Sequence, residues 1–260
     1  MSSNMFQILT LNNISPCGLE LFTGSYVHGE KQENPDGILV RSAAMQDMAL
    51  PASVKAIARA GVGVNNIPVE ACADKGIIVF NTPGANANAV KELTIAGLLL
   101  GSRKVAEGIQ WAASLSGKED LSKLVEKGKA QFAGPEIHGK SLGVIGLGAI
   151  GIQVANTAVS LGMEVYGYDP YVSVDAAWRL SRAIRRAQDI KDIFANCDYI
   201  TIHVPYMPAT KHMIDAEAFA AMKDGVRLVN FARGELVDNA AALEALKSGK
   251  LAAYVLDFPA

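Results

Sequence analysis

The sequence has 260 residues, half of them hydrophobic, a length that suits one large domain or two small ones. Its 24 lysines and arginines nearly balance 26 aspartates and glutamates, so the net charge of -2 argues against a nucleic-acid partner and favours a small-molecule partner. No apolar run approaches the roughly 20 residues of a membrane span, so we expect no membrane association.

The N-terminal third of the chain alternates short β-branched runs with a helical pattern. The runs are FQILTL, GILVRSA, VKAIARAG and GIIVFNTP, and PVEACADKG between the last two predicts a short helix that ends at Gly76. The first run follows an N-terminus without the basic segment of a secretory signal, which predicts a cytoplasmic protein. The alternation is typical of a parallel sheet with helices on its faces.

A long helical pattern follows, from about residue 86 to residue 111. Its middle is apolar on more than one face, as expected of a helix that crosses from one domain to another. The next stretch, SGKEDLSKLVEKGKAQFAG, is rich in lysine and is interrupted by glycines, so we expect a surface segment without chemistry.

A second series of apolar runs fills the rest of the chain. It consists of KSLGVIGLGAIG, MEVYGYDP, DYITIHVP, GVRLVNFARG and KLAAYVLD, with helical patterns between them. Two successive series of this kind predict an α/β protein with two doubly wound parallel-sheet domains.

The segment VIGLGAIG places Gly146, Gly148 and Gly151 in a G-x-G-x-x-G array after an apolar run and at the start of a helical pattern. In a dinucleotide-binding turn, the first glycine allows a tight turn and the second lets the pyrophosphate approach the backbone. The third brings the helix against the strand. Glycine turns also serve packing alone, so this pattern is weak by itself.

Asp169 strengthens the dinucleotide interpretation. It ends the next strand and follows Gly151 by 18 residues, close to the ~20 expected of the acid that binds the ribose hydroxyls. A carboxylate there repels a 2′-phosphate, and no arginine follows it directly. The sequence therefore predicts NAD rather than NADP, with a turn-forming Asp-Pro as the alternative role.

The cysteines and histidines predict neither disulfides nor a metal site. Cys17, Cys72 and Cys197 are widely spaced and form no C-x-x-C pair, as expected of reduced cysteines in a protein core. No histidine lies in a ligand spacing such as H-E-x-x-H.

Six motifs occur in order: ILVRSA, ARAGVGVNNIPVEACADKGIIVFNTPGANANAVKELT, GKSLGVIGLGAIG, HVP, NFARGELVD and VLDF. With them the chain, from about Gly37 to its last residue, resembles the D-2-hydroxyacid dehydrogenase family, and most closely its phosphoglycerate-oxidising members. The resemblance implies that residues 1–82 form part of a flavodoxin-like substrate domain, and that residues 83–260 form a Rossmann NAD-binding domain. It also implies that the substrate domain is incomplete here.

The resemblance implies that Arg233 is the catalytic arginine, which binds the substrate carboxylate with two parallel hydrogen bonds. An arginine in a surface ion pair is the alternative. The family pairs this arginine with a glutamate and a histidine as acid and base. By family spacing both lie beyond Ala260, so we expect this chain to belong to a longer enzyme and to be inactive alone.

The resemblance also carries over the cofactor contacts. His203 matches a position where packing and a backbone hydrogen bond are expected, not acid–base chemistry. Relatives often have arginine at the position of Ala149, so one pyrophosphate contact is absent. The implied cofactor residues are Gly146, Gly148, Ala149, Ile150, Gly151, Asp169, Pro170, His203, Val204, Pro205, Phe231, Ala232, Arg233 and Asp257.

The implied substrate is a phosphorylated hydroxy acid, 3-phospho-D-glycerate, which the family oxidises in serine synthesis. Its charge needs cations, and Arg41 and Arg59 each end an apolar strand at positions that match the substrate site. Structural salt bridges are the alternative for both. Asn81 and Asn86 lie in the loop before the long helix, and Lys91 either adds charge there or is an ordinary solvated lysine.

Two other functions stay open at this point. One is a dehydrogenase of an unphosphorylated 2-hydroxy acid such as glycerate or lactate, and the other is a non-catalytic NAD-sensing protein. The family is usually dimeric through the dinucleotide domain, so a homodimer or a higher homo-oligomer is expected.

Overall fold

The computed structural model describes residues 5–258. The chain forms two compact units, the first ending at Asn86 and the second beginning at Ala87. Within the described residues, no helix has both the length and the apolar character needed to cross a membrane.

The first unit is a five-stranded parallel sheet in the order β2-β1-β3-β4-β5, which is the flavodoxin-like order. Ile38, Val40 and Ile57 of its central strands are at most 1% exposed. The elements are β1 Phe6–Leu11, α1 Pro16–Leu19, β2 Tyr26–Gly29, β3 Gly37–Val40, β4 Ala56–Arg59, α2 Val69–Asp74 and β5 Ile78–Phe80.

The second unit is a six-stranded parallel sheet in the order β11-β10-β9-β6-β7-β8. Counted from the first strand of this unit, this is the Rossmann order 3-2-1-4-5-6, so the predicted fold class is confirmed for both units. The strands are β6 Ser141–Ile145, β7 Glu164–Tyr168, β8 Arg185–Arg186, β9 Tyr199–Ile202, β10 Val226–Asn230 and β11 Leu251–Leu256.

Helices cover this second sheet, and its central strands are correspondingly apolar. Every residue of β6 and of β9 is buried, as expected of parallel strands with helices on both faces. The helices are α3 Ala87–Ser102, α4 Val105–Ser114, α5 Leu121–Gly128, α6 Gly151–Ser160, α7 Val174–Trp178, α8 Ile190–Asn196, α9 Ala216–Ala221 and α10 Asn239–Ser248.

The long helical pattern at residues 86–111 forms two helices, so the prediction of one crossing helix was wrong. Lys104 has φ -72° and ψ 56°, and Val105 N donates to Arg103 O at 2.7 Å. These values define an inverse γ-turn, which ends the helical hydrogen-bond ladder. Gly134 lies against the Ser102 carbonyl at this break, where no side chain would fit.

The structure agrees with one further expectation and corrects another. The lysine-rich segment contains α5 and a 3₁₀ helix, Lys129–Phe132, neither of which has a buried residue, in agreement with a surface position. The cysteines are free, but only Cys72 and Cys197 are buried; Cys17 is exposed, so its assignment to the core was wrong. Cys17 lies within the four-residue helix α1, which buries no residue.

Candidate active site

The residues predicted for the cofactor in the second unit all follow the carboxyl ends of its strands. In a parallel sheet these ends share one edge, and ligands bind in the crevice outside it. Along the edge the order is Asp257 after β11, Arg233 after β10, His203 after β9, the glycine turn after β6 and Asp169 after β7. The distance from β10 to β7 is three strand spacings, about 14 Å, a span that suits an extended dinucleotide.

The three glycines of the turn are required for different physical reasons. Gly146 has φ +94°, and a Cβ there would lie 2.8 Å from the His203 backbone. A Cβ on Gly151 would overlap the Gly146 carbonyl oxygen. A Cβ on Gly148, by contrast, would meet no protein atom within 4 Å. Packing therefore explains Gly146 and Gly151, whereas Gly148 leaves open space where a pyrophosphate would approach the backbone.

The N-terminus of α6 faces the same open space. Its N-cap residue, Ile150, makes no side-chain hydrogen bond to the first helical turn. Of the first-turn N–H groups, that of Ile152 already donates to Gly148 O at 3.1 Å, so an anion here would meet the remaining N–H groups and the positive end of the helix dipole. The turn and the helix together fit the phosphates of a dinucleotide, with Gly148 as the point of closest approach.

Asp169 lies beside the glycine turn. Its carboxylate accepts hydrogen bonds from Leu147 N through Oδ2 and from Tyr171 N through Oδ1, both at 2.8 Å. These bonds fix the carboxylate against the turn, and Leu147 itself is buried. A carboxylate has about four acceptor positions, so Asp169 retains the capacity to bind ribose hydroxyls. Pro170 follows it and is exposed.

His203 is a neutral side chain beneath the turn. Its backbone N donates to Ile145 O at 2.7 Å, and its Nε2 lies 3.0 Å from Thr201 Oγ1. Burial lowers the pKa of His203 from 6.5 to about 4, because a charged imidazole is disfavoured away from water. At neutral pH the ring therefore serves as a fixed packing and hydrogen-bonding group. Val204 and Pro205 continue the chain along the edge.

Arg233 lies in the loop after β10 and is exposed. Its Nη1 donates to Ala232 O at 2.6 Å. Asn230, which is 1% exposed, holds this loop from below: its Nδ2 donates to Arg233 O at 2.8 Å and its Oδ1 accepts from Ala232 N at 3.1 Å. Phe231 packs against the same hydrophobic cluster as Ile150.

Asn230 is not among the site residues predicted from the sequence. The available signal was its position as the last residue of a mostly apolar strand, directly before the arginine loop. A buried polar residue at a strand end usually bonds the backbone that follows. Asn230 therefore positions the loop that carries Arg233.

The substrate residues predicted in the first unit lie at one edge of its own sheet. Arg41 follows β3, Arg59 ends β4 and Asn81 follows β5, on three neighbouring strands. Arg59 Nε donates to Arg41 O at 3.1 Å, and Asn81 Nδ2 donates to Val62 O at 2.7 Å. Asn86 lies further along the loop and is exposed. The structure thus brings both arginines and Asn81 to the carboxyl edge of the first sheet.

A cavity of about 500 Å³ lies beside the loop after β10. Gly234, Glu235, His212 and Phe258 contribute to its lining. None of the predicted cofactor residues lines it. Among residues 5–258, no group of three or more histidines, cysteines, aspartates and glutamates is arranged to hold a metal ion.

Comparison with known proteins places this arrangement in a family. Residues 96–260 match the family model of the D-isomer specific 2-hydroxyacid dehydrogenase, NAD binding domain. The chain is 43% identical over 231 residues to a D-3-phosphoglycerate dehydrogenase of Methanocaldococcus jannaschii, covering 88% of this chain and 42% of that protein. It is 35% identical over 270 residues to the D-3-phosphoglycerate dehydrogenase of Rattus norvegicus, covering 98% and 48%.

The fold is similar to that of solved dehydrogenases. The holo form of Rhodotorula graminis D-mandelate dehydrogenase matches with a TM-score of 0.77 and 27% identity, covering 97% of this chain and 81% of that chain. The chain spans about half the length of the curated relatives named above. The cofactor of this domain family is NAD, in agreement with the glycine turn and Asp169. The chain belongs to the D-isomer-specific 2-hydroxyacid dehydrogenase family.

Proposed function

We propose that this protein is an NAD-dependent 3-phosphoglycerate dehydrogenase, which oxidises 3-phospho-D-glycerate to 3-phosphohydroxypyruvate in serine synthesis. The observation that carries the proposal is the position of Arg233 on the sheet edge that also carries the glycine turn and Asp169. The similarity to two D-3-phosphoglycerate dehydrogenases supports it.

In this proposal, residues 1–82 contribute to the substrate domain and residues 83–260 form the NAD-binding domain. NAD, when bound, accepts the hydride from C2 of the substrate. The amides of the glycine turn and of α6 bind the diphosphate, and Asp169 binds the adenosine ribose. Ile150, Val204 and Pro205 enclose the cofactor, and Asp257 lies towards its nicotinamide end.

Arg233 binds the substrate carboxylate. Its guanidinium offers two parallel N–H donors to the carboxylate, and it stabilises negative charge on the C2 oxygen as the hydride leaves. Asn230 holds the loop so that the guanidinium stays at the edge. The proton of the C2 hydroxyl needs an acid–base pair, which the family supplies as a glutamate and a histidine.

The substrate phosphate is assigned to the first unit. Arg41 and Arg59, with Asn81 beside them, form a positive group at the carboxyl edge of its sheet. Three charges on a small hydroxy acid need fixed cations, and arginine suits phosphate because its planar fork matches the phosphate oxygens. Asn86 adds an amide donor from the following loop.

Turnover of 3-phospho-D-glycerate and of D-glycerate tests this assignment. With NAD, the protein expressed from its full reading frame is expected to use the phosphorylated acid at least about 100-fold more efficiently, the effect of losing two charged hydrogen-bonded contacts. Arg41→Met is expected to raise KM for phosphoglycerate and leave KM for glycerate unchanged. Equal use of both acids contradicts the phosphate assignment while leaving the dehydrogenase assignment intact.

An unphosphorylated 2-hydroxy acid is a second candidate substrate. The similarity in fold to D-mandelate dehydrogenase favours it, because that enzyme acts on a hydroxy acid without phosphate. The same turnover comparison, extended to D-lactate and D-mandelate, separates the two candidates.

We further propose a cytoplasmic homodimer that forms through the NAD-binding domain. An apolar face on α3 and α4 supports the dimer: Leu93 and Leu100 of α3, and Val105 and Ile109 of α4, are each between 45% and 66% exposed. Exposed apolar patches of this kind are typical of interaction sites. The free cysteines agree with a reducing compartment.

A further inference from the structure

The glycine turn itself carries no cationic side chain. The residues from Gly146 to Gly151 are glycine, leucine, alanine and isoleucine, whereas a dinucleotide presents a negative charge on each of its two phosphates. The amides of the turn and the dipole of α6 offset part of this charge. A cation near the turn would offset more of it.

Lys91 lies on the face of α3 that packs against the core of the second unit. Lys91, Ile95 and Leu98 are spaced as i, i+4 and i+7 on α3, so they share one face. Leu98 is fully buried in the hydrophobic cluster that contains Leu147, and Ile95 packs against that cluster together with Ile150. The face that carries Lys91 is therefore the buried face of α3, and α3 packs against α6, which follows the turn directly.

The direction of α3 places Lys91 at the correct end of the sheet. At the C-terminal end of α3, Ser102 Oγ lies 2.8 Å from the hydroxyl of Tyr199, the first residue of β9. In the middle of α3, Gly97 lies against Phe231, which follows the end of β10. The helix thus runs from the carboxyl edge to the amino edge of the sheet. Helical side chains lean towards the N-terminus, so the Lys91 ammonium is directed beyond the carboxyl edge, where the turn lies.

The described contacts of Lys91 leave its hydrogen-bonding capacity largely unused. Its side chain is 19% exposed, and its Nζ lies 3.9 Å from Glu92 Oε1, too far for a hydrogen bond. Glu92 is itself 67% exposed, and its Oε1 accepts from Asn88 Nδ2 at 2.8 Å. The side chain is mostly buried, and its ammonium group needs hydrogen-bond acceptors, which phosphate oxygens would supply.

We propose that Lys91 binds the diphosphate bridge of the dinucleotide and supplies the cation that the glycine turn lacks. The inference deepens the NAD-binding role of the second unit and rests on it. A phosphorylated substrate offers the same phosphate chemistry, so the experiment distinguishes the two sources.

Calorimetry with four probes, NAD, ADP-ribose, adenosine and 3-phospho-D-glycerate, tests the proposal on this chain. NAD and ADP-ribose both contain the diphosphate, whereas adenosine does not. Lys91→Met is expected to weaken NAD and ADP-ribose about tenfold each, the effect of losing one hydrogen bond to a charged group, and to leave adenosine unchanged. Lys91→Arg keeps the charge and is expected to retain binding. Lys118→Met, which removes an exposed lysine from the segment after α4, is the matched control.

A rescue variant makes the test independent of any effect on folding. Ala149 is exposed on the turn, so Ala149→Arg in the Lys91→Met background places a guanidinium on the turn itself and is expected to restore NAD affinity. Unchanged NAD and ADP-ribose affinity in Lys91→Met overturns the inference, while binding by the unmodified chain preserves the NAD assignment. An equal loss for adenosine, or a loss confined to phosphoglycerate, also overturns it. Absence of NAD binding in the unmodified chain contradicts the NAD assignment itself.

Discussion

At the level of single residues, the glycines of the turn differ in whether packing of the protein explains them. The fold requires glycine at position 151, because any side chain would collide with the backbone of Gly146. Gly148 has no such constraint, since a Cβ there would project into open space. Packing therefore does not require glycine at position 148, and we propose that the ligand does.

Two alanine variants are expected to show this difference. Gly151→Ala forces the backbone apart and should lower the free energy of unfolding by about 3 kcal/mol, measured by urea denaturation. Gly148→Ala should leave that free energy within about 0.5 kcal/mol of the unmodified value. It should nevertheless weaken NAD binding by an order of magnitude or more, because its methyl group occupies the position of the diphosphate. A stable Gly148→Ala chain with full NAD affinity would show that the diphosphate does not approach this point.

How far the sequence predicts this site differs from residue to residue. Gly146, Gly148 and Asp169 could be selected because a spacing along the chain reflects their mechanism. Asn230 was missed because its role depends on the path of the loop after β10, which brings Ala232 N and Arg233 O to its side chain. The low exposure of Lys91 likewise depends on how α3 packs. Spacing along the chain contains neither kind of information.

At the level of elements, the break between α3 and α4 depends on tertiary contacts. Residues on both sides favour a helix, but Gly134 approaches the Ser102 carbonyl and Arg227 Nε donates to Gly101 O at 2.8 Å. Both contacts involve backbone carbonyls at the end of α3. A continuous helix would use these carbonyls for its own hydrogen bonds. The sequence pattern could not show the break, because Gly134 and Arg227, which contact the end of α3, lie 30 or more residues from it along the chain.

Alanine at two nearby glycines tests this account. Gly134→Ala would drive a Cβ into the Ser102 carbonyl, so we expect a loss of about 1–3 kcal/mol in the free energy of unfolding. Gly108 lies inside α4, where a Cβ would make an ordinary contact 3.7 Å from Phe132. Gly108→Ala should therefore stabilise the protein by about 0.5–1 kcal/mol, the helix propensity gained. Thermal and urea unfolding of both variants measure the difference, and a neutral Gly134→Ala would refute the proposed contact.

The two strands absent from the prediction are both at sheet edges. β2 has no buried residue, and β8 consists of two exposed arginines. A strand at an edge buries little, so its sequence lacks the apolar run that identifies a central strand. The buried strands β6 and β9 were visible for the opposite reason. An apolar run thus determines which strands a sequence reveals, since β5, an edge strand without a buried residue, was predicted from its own run.

At the level of the whole molecule, the exposed apolar face of α3 and α4 is the feature that a single chain leaves unexplained. Leu93 and Leu100 are seven residues apart on α3, with the exposed Ala96 between them, so they form one stripe. Val105 and Ile109 are four residues apart on α4 and form another. A symmetric dimer would bury these side chains twice, once from each protomer.

A charge introduced on this apolar face provides the test. Ile109 is 66% exposed, so Ile109→Glu should not disturb the folding of one chain, but in a symmetric interface it introduces two carboxylates that must lose water. We expect light scattering to give a dimer mass for the unmodified chain and a monomer mass for Ile109→Glu, with NAD affinity per chain retained. Leu243→Glu alters a residue of similar character, 51% exposed on α10, and should leave the dimer intact. If both variants keep the dimer, the interface lies elsewhere; if the unmodified chain is a monomer, the apolar face is covered by something other than a second copy.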